Sequence, residues 1–300
     1  MDTFDNHSAP VFLQESDLSK SAIPLYRRAL SVLLTGLVIA FTASVLIPLA
    51  AVVYSVSKKG INQLKFPTVF TELPPPPGLT EGGFGHAIIG TLMTLSVATV
   101  IAVPFGVLAA IYLAEFGKGT KIAQIVKFSC NVLTGVPAIL CGLFAYSIVV
   151  LPMRSFSAFS GGVATGVLML PIIVRAAEEA LLLVPSEMRQ ASIGIGATRF
   201  QTITQIVIPT AMPALTTGIV LALGRAAGEA APLLFTAFNN NFWSNDLFQP
   251  VATLPVLIYF FSIIPYKASQ DLAWAAAMML VFIVLIFSIA ARFFSRQKVV

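Results

Sequence analysis

The chain has 300 residues, of which 57% are hydrophobic and only 10% charged, with a net charge of +5 and a mean hydropathy of +0.89. Soluble domains carry about 25% charged residues, so this composition excludes a chain that faces water on all sides. The basic surplus does not mark nucleic-acid binding: basic residues cluster at the ends of apolar runs, and no basic groove interleaved with aromatics can be drawn.

Apolar runs of about 20 residues, the length that crosses a bilayer, recur along the chain. Backbone in lipid must satisfy itself within helices or a closed barrel, and continuous rather than alternating runs predict helices. The expected fold class is therefore all-α, a polytopic membrane protein with about six spans. Residues 1–28 hold Asp2, Asp5, Glu15 and Asp17 ahead of the first basic residue, Lys20. They lack the positive segment and short apolar core of a secretory signal, and are expected to form a mobile cytoplasmic tail before a transmembrane region over residues 29–300. The predicted spans run about Ala29–Val56, His86–Ala114, Lys127–Leu151, Ala158–Val174, Thr210–Phe238 and Leu272–Phe294. Val251–Ile264 is apolar but, at about 14 residues, short for a span, and reads as interfacial or re-entrant. Between the first two spans, Pro74–Pro77 predicts a stiff polyproline spacer, and the glycine-rich Glu81–Gly85 a turn. Pro104, Pro137, Pro171 and Pro232 each interrupt a different middle span, where proline bends a helix and frees a carbonyl.

Six spans with the N-terminus inside place 12 of the 18 Lys and Arg residues on inner segments and 5 on outer ones, with Arg225 inside a span. This asymmetry predicts cytoplasmic N- and C-termini. Cys130 and Cys141 lie in one apolar segment, about 16 Å apart along a helix axis, too far for a disulfide, and read as core residues. His7 and His86, the two histidines, do not assemble a zinc or iron site.

The longest inner connection, Arg175 to Pro209, carries more pattern than a turn needs. Pro185-Ser186-Glu187 reads as a helix start with Ser186 as N-cap. The helix Glu187–Ile193 is expected to end at Gly194-Ile195-Gly196 with a left-handed glycine. Thr198 and Gln201 then form a capping box for a second short helix that stops before Pro209. Two short capped helices around a glycine turn make a knob that a partner's groove can hold, although an amphipathic connector would show much of the same pattern. This segment resembles the permeases of ABC importers, whose loop reads E-A-A, three residues, Gly, nine residues, then I-x-L-P. Here the string is Gln190-Ala191-Ser192, three residues, Gly196-Ala197, then Ile206-Val207-Ile208-Pro209; Gln190 stands where the family has Glu, and Ile208 where it has Leu. The resemblance implies a type I ABC importer permease fold in which residues 185–209 are the loop that couples to an ATPase. The chain has no G-x-x-x-x-G-K-[ST] phosphate loop, so hydrolysis of ATP, with its Mg, is expected on a separate subunit, and no cofactor on this chain.

The fifth predicted span holds Arg225 and Glu229, four residues apart on one helix face. Ionisable groups at membrane depth are costly and by default mark a pathway. Basic-then-acidic is the weaker order for such a pair, which leaves Arg225 able to hold an anion, since a guanidinium stays charged and forks onto two oxygens; simple mutual neutralisation is the alternative. Gly224 and Gly228 predict close approach of another helix. Arg175 with Glu178 and Glu179 forms a second charged cluster, equally consistent with an exit path or a topological anchor. The run from Arg225 to Thr236, R-A-A-G-E-A-A-P-L-L-F-T, resembles the A-type permeases of phosphate importers, with Ala230 in place of their usual threonine. Leu133–Pro137, Gly142–Phe144 and Val174-Arg175 with Glu178 resemble other stretches of that family. The resemblance implies inorganic phosphate as cargo, a C-type permease partner, two ATPase subunits, an external phosphate-binding protein and the bacterial inner membrane. A sensor-kinase signalling role is implied by the family alone. The alternatives from other classes are a permease for sulfate or molybdate, an ATP-independent channel or transporter, and a membrane enzyme; the last has no metal or nucleophile constellation to support it.

Overall fold

The computed structural model describes residues 25–295 except 77, 78, 80 and 81. The acidic tail up to Lys20, the last proline of the Pro74–Pro77 spacer, Glu81, Arg296 and Lys298 lie outside the described residues. Among the described residues the secondary structure is helical throughout. The described residues fall into two compact units, divided between Tyr54 and Ser55.

The described part of the first unit is most of helix α1 (Leu25–Leu64), which contains Pro48. The remainder of α1 opens the second unit, where Lys59 stacks over the Trp274 ring at 4.3 Å. A single turn, α2 (Thr68–Thr71), follows. Helix α3 (Gly85–Ile111) begins where the Phe84 amide donates to the Val69 carbonyl at 2.9 Å, and it ends in a wider π turn, Tyr112–Phe116. Next come α4 (Lys121–Gly135) and α5 (Ala138–Ala145), the latter running through a π turn, Tyr146–Val150, into the short α6 (Leu151–Met153). Helix α7 (Ala158–Leu182) is followed by α8 (Ser186–Gly194) and α9 (Arg199–Gln201). A π segment, Thr202–Val207, joins α9 to α10 (Ile208–Ala227). Short helices α11 (Ala231–Leu234) and α12 (Leu254–Ile263) precede the last helix, α13 (Lys267–Ser295).

Among the described residues, five helices are long and apolar enough to cross a membrane, and six if the bent pair Lys121–Gly135 and Ala138–Met153 counts as one span. That pair corrects the expected continuous span Lys127–Leu151, because it turns by 108° at Val136-Pro137. The cause is local: proline disfavours the helical region for the residue before it, and Val136 is extended at φ −73°, ψ 130°. The fourth span runs past its expected end at Val174, since Arg175, Glu178 and Glu179 continue the α7 helix to Leu182. The fifth stops early, at Ala227 instead of Phe238; Pro232 therefore sits in the first turn of α11 and bends no span. The short segment after Val251 is the ten-residue α12, buried at its first turn.

Helix α7 is the centre of the second unit. A strip at every fourth residue of α3 (Gly90, Thr94, Ala98, Ala102, Gly106 and Ala110) is buried. Small side chains here let helices meet at backbone distance, which in lipid replaces hydrophobic association as the source of packing. A side chain on Gly106 would strike Ile173 of α7, and one on Gly162 of α7 would strike Val97 of α3. The amide groups at the start of α7, which lack helical partners, are satisfied from the chain after α11. Ser157 N–H donates to the Thr236 carbonyl (3.1 Å), Ala158 N–H to Gln249 (3.1 Å) and Phe159 N–H to Leu247 (2.8 Å). Ser157 and Ser160 add a reciprocal capping box. Both cysteines are buried free thiols.

Gly142 marks the closest approach of α5 to α11: an added Cβ would lie 2.6 Å from Pro232 Cα, a backbone atom that cannot yield. Gly142→Val is expected to destabilise the detergent-solubilised protein by about 1–3 kcal/mol, the usual cost of overpacking. Gly36→Ala, which meets nothing within 4 Å in the interior of α1, should not lower the thermal midpoint in the same differential scanning measurement, since alanine is the better helix former.

Candidate functional site: an arginine cleft and a capped knob

Two sites emerge, one at the C-terminal end of α10 and one at the far end of α7. In the first, Arg225 and Glu229 meet at Nε–Oε1 3.8 Å, beyond hydrogen-bond distance, with side-chain exposures of 64% and 28%. The expected shared helix face is corrected in one respect: α10 ends at Ala227 with Gly228 as its C-cap, so Glu229 reaches Arg225 from beyond the helix. The carboxylate is thus a loose counter-ion, and an exposed pair of this kind stabilises by about 0–1 kcal/mol. The guanidinium borders two cavities. The smaller, about 40 Å³, lies between the Val136-Pro137 bend, α7 and α10, lined by Thr134, Val136, Pro171, Ile172 and Glu229. The larger, about 440 Å³, opens between α10 and α13 and is lined by Thr216, Thr217, Gly224, Ser288 and Arg292. Gly224 does allow close approach to this chain's own α13, since an added Cβ would lie 3.2 Å from Val284 Cγ1. At Gly228 an added Cβ would meet, within this chain, the Arg225 carbonyl of its own turn at 3.7 Å.

The second charged cluster is split. Glu178 is buried and pairs with Lys127 of α4 at 2.5 Å, while Glu179 is exposed. Arg175 is half-buried, one helical turn beyond Pro171 and Ile172 of the small cavity. It forms no hydrogen bond or ion pair among the described residues.

The knob follows the sequence pattern closely, with two corrections. Pro185, not Ser186, is the residue before α8, at φ −58°, ψ 142°; Ser186 is the first helical residue and bonds Glu187 Oε1 at 3.3 Å. The second short helix does not stop before Pro209. It runs on through the π segment Thr202–Val207 into α10, with Pro209 in that helix's first turn. The wider π turn accommodates a residue with no N–H. The turn between the halves is as expected, with Gly196 left-handed at φ 92° and the reciprocal Thr198–Gln201 capping box complete.

Of the coupling-loop residues singled out, Gln190, Ala191 and Pro209 are exposed, Ala197, Ile206 and Ile208 half-buried, and Ser192 buried. Ser192 Oγ and Thr202 Oγ1 are 3.0 Å apart, which pins α8 to the π segment. Three further residues were not singled out from the sequence. Ile195 and Phe200 are 87% and 72% exposed at the tip; their signal was two large apolar residues flanking the glycine turn of a polar loop. Glu115, from the π turn ending α3, is only 8% exposed. Its Oε1 accepts from Arg189 Nε (3.2 Å) and Nη2 (2.9 Å). Arg189 also donates to the Val184 and Leu181 carbonyls at the end of α7, at 2.5 and 2.8 Å. Arg199 donates to the Glu115 carbonyl and lies over the Phe116 ring at 4.7 Å. An acid seventy residues away in sequence leaves no local signal.

The profile of the binding-protein-dependent transport system inner membrane component family matches residues 102–299. The chain belongs to that family. Its curated relatives include the phosphate transport system permease protein of Yersinia pestis, 40% identical over 82% of this chain and 84% of the relative. The protein of the same name from Xylella fastidiosa is 42% identical over 75% and 78%, and that of Pasteurella multocida 37% over 82% and 88%. Among solved structures, a bacterial alginate ABC transporter chain aligns with TM-score 0.63 at 16% identity, covering 91% of this chain and 97% of the other. A chain of an inward-facing methionine ABC transporter aligns with TM-score 0.55 at 22% identity over 70% and 92%. The fold is thus that of ABC importer permeases, and the chain is a multi-pass membrane component of a transport system.

Thr198→Ala removes the half of the capping box in which Thr198 Oγ1 accepts from the Gln201 N–H, and keeps the Thr198 N–H that donates to Gln201 Oε1. It is expected to cost about 1 kcal/mol locally and to speed amide hydrogen exchange over residues 199–202 by roughly fivefold, with the amides of α3 unaffected.

Proposed function

We propose that this chain is a permease subunit of an ATP-driven importer of inorganic phosphate. The observation that carries the reading is the loosely paired Arg225, set between two cavities within a stretch that resembles phosphate permeases. The names of the 37–42% identical relatives support the same cargo.

Phosphate is a tetrahedral oxyanion, and the guanidinium presents a rigid fork of donors to two of its oxygens. A tight Arg225–Glu229 bond would exclude the anion. Without Glu229 beside it, Arg225 would hold the anion more firmly and slow its release. At 3.8 Å the carboxylate moderates the charge without occupying the fork. Arg175, one turn along α7 and free of an ion pair, provides a second cationic stop. Around this path we place a C-type permease as the other half, two copies of an ATPase subunit gripping the knobs from the cytoplasm, and an external phosphate-binding protein that delivers the anion. ATP and Mg belong to the ATPase subunits, and no cofactor to this chain. Both termini face the cytoplasm of the bacterial inner membrane, as the distribution of basic residues supports. The exposed Ile195 and Phe200 at the knob tip form the apolar contact with the ATPase, flanked by Gln190 and Ala191. When the ATPase pair closes on ATP, the knobs move the spans and the path opens outward; hydrolysis resets it.

The test is uptake of labelled phosphate by proteoliposomes holding the complete importer. Arg225→Gln is expected to cut uptake at least about tenfold, the loss of one charged hydrogen-bonding partner of the anion, with the complex still co-purifying. Arg225→Lys should retain part of the activity, since the charge stays and the fork is lost. Normal uptake by the Gln variant would remove Arg225 from the mechanism. Equal competition by sulfate or molybdate would overturn phosphate as the cargo.

A further inference from the structure

We infer that Glu115 is the tether through which the knob moves α3, a positioning residue of the transport cycle; this rests on the motor-coupled reading above. The covalent chain joins the knob only to α7, which precedes it, and to α10, which follows. No backbone connection links it to α3, although α3 packs along the length of α7 and forms the wall behind Arg225. Leu95, Ala98 and Ala102 of α3 share one buried cluster with Met169, Ala222 and Ala226. Ala110 and Ala114 at the end of α3 share a buried apolar cluster with Val207 of the π segment, and the side-chain bonds at Glu115 add the directional link to α8 and α9.

Both halves of the knob close on the same two residues. Arg189 of α8 grips the Glu115 carboxylate with two of its nitrogens, and its remaining reach caps the carbonyls that end α7. One guanidinium therefore holds α3, α7 and α8 together, and its positive charge meets the negative end of the α7 dipole. Arg199 of α9 takes the Glu115 carbonyl and covers Phe116. Because Ser192 and Thr202 join the two halves internally, the knob and the end of α3 move as one body. Two cations of the knob face Glu115, Arg189 through its side chain and Arg199 through its carbonyl. The neighbouring Lys127–Glu178 pair joins α4 to α7 without touching the knob, and so serves as a matched control.

The experiment measures labelled phosphate imported per ATP hydrolysed by the complete importer, with its external binding protein, in proteoliposomes. Glu115→Gln and the double change Glu115→Gln/Arg189→Gln are compared with the unaltered chain. The double change leaves no unpaired buried charge, so it tests the tether even where the single change destabilises the fold. Both variants are expected to co-purify with the ATPase and hydrolyse ATP while phosphate per ATP falls at least about fivefold, the scale of a disrupted coupling element. Lys127→Gln should lower the yield of complex at most, with the ratio unchanged. An unaltered ratio in the double variant would overturn the proposal. So would an equal fall in Lys127→Gln, or failure of the double variant to assemble, either of which assigns Glu115 a purely structural role. Absence of ATP-dependent phosphate uptake by the unaltered importer would refute the functional reading itself, and this proposal with it.

Discussion

The close approach of α3 to α7 is the contact on which the rest of the second unit depends. In lipid, apolar surface gains little by meeting other apolar surface, so helices associate through dense packing of small residues. The buried every-fourth-residue strip of α3, from Gly90 to Ala110, and the glycines Gly161, Gly162 and Gly166 of α7 provide it. This seam positions three things at once. It sets the wall against which α10 lays Ala222 and Ala226. It holds the start of α7 where the chain after α11 can satisfy its free amides. It brings the end of α3 beside the end of α7, where the knob begins.

The cleft around Arg225 shows how a charge is kept usable within an apolar unit. A tightly hydrogen-bonded ion pair would be stable and inert, because each partner would saturate the other. Ending α10 at Ala227 moves Glu229 off the helix path and leaves the two side chains at ion-pair distance without a hydrogen bond. The Val136-Pro137 bend contributes in the same way. A continuous helix would fill the space that the bend leaves open as a small cavity between α5, α7 and α10.

The knob reaches rigidity by several short-range devices and one long-range one. Capping of α9 by Thr198 and Gln201, the left-handed Gly196 and the Ser192–Thr202 bond organise it internally. The π segment after α9 lets it flow into α10 without a break. These features fix its shape and say nothing about its attachment to the body of the protein. That attachment is made directional by Glu115, which the fold carries to Arg189 from the far side of α7.

Much of this was legible in the sequence wherever the physics is local. Composition and run length determined an all-helical membrane protein, because backbone in lipid has few ways to satisfy its hydrogen bonds. The Thr198–Gln201 box and the glycine turn at Gly196 are contacts within a few residues, and each lies where local chemistry placed it. Gly142–Phe144 and Arg225–Thr236 carried the family likeness for the same reason. The tertiary structure decided what depends on neighbours distant in the chain. It broke the third span at Pro137, ended the fifth at Ala227, gave Glu178 to Lys127 instead of Arg175, and brought Glu115 to the knob. A side chain's partner across seventy residues is set by how helices pack, and no periodicity along the chain records it.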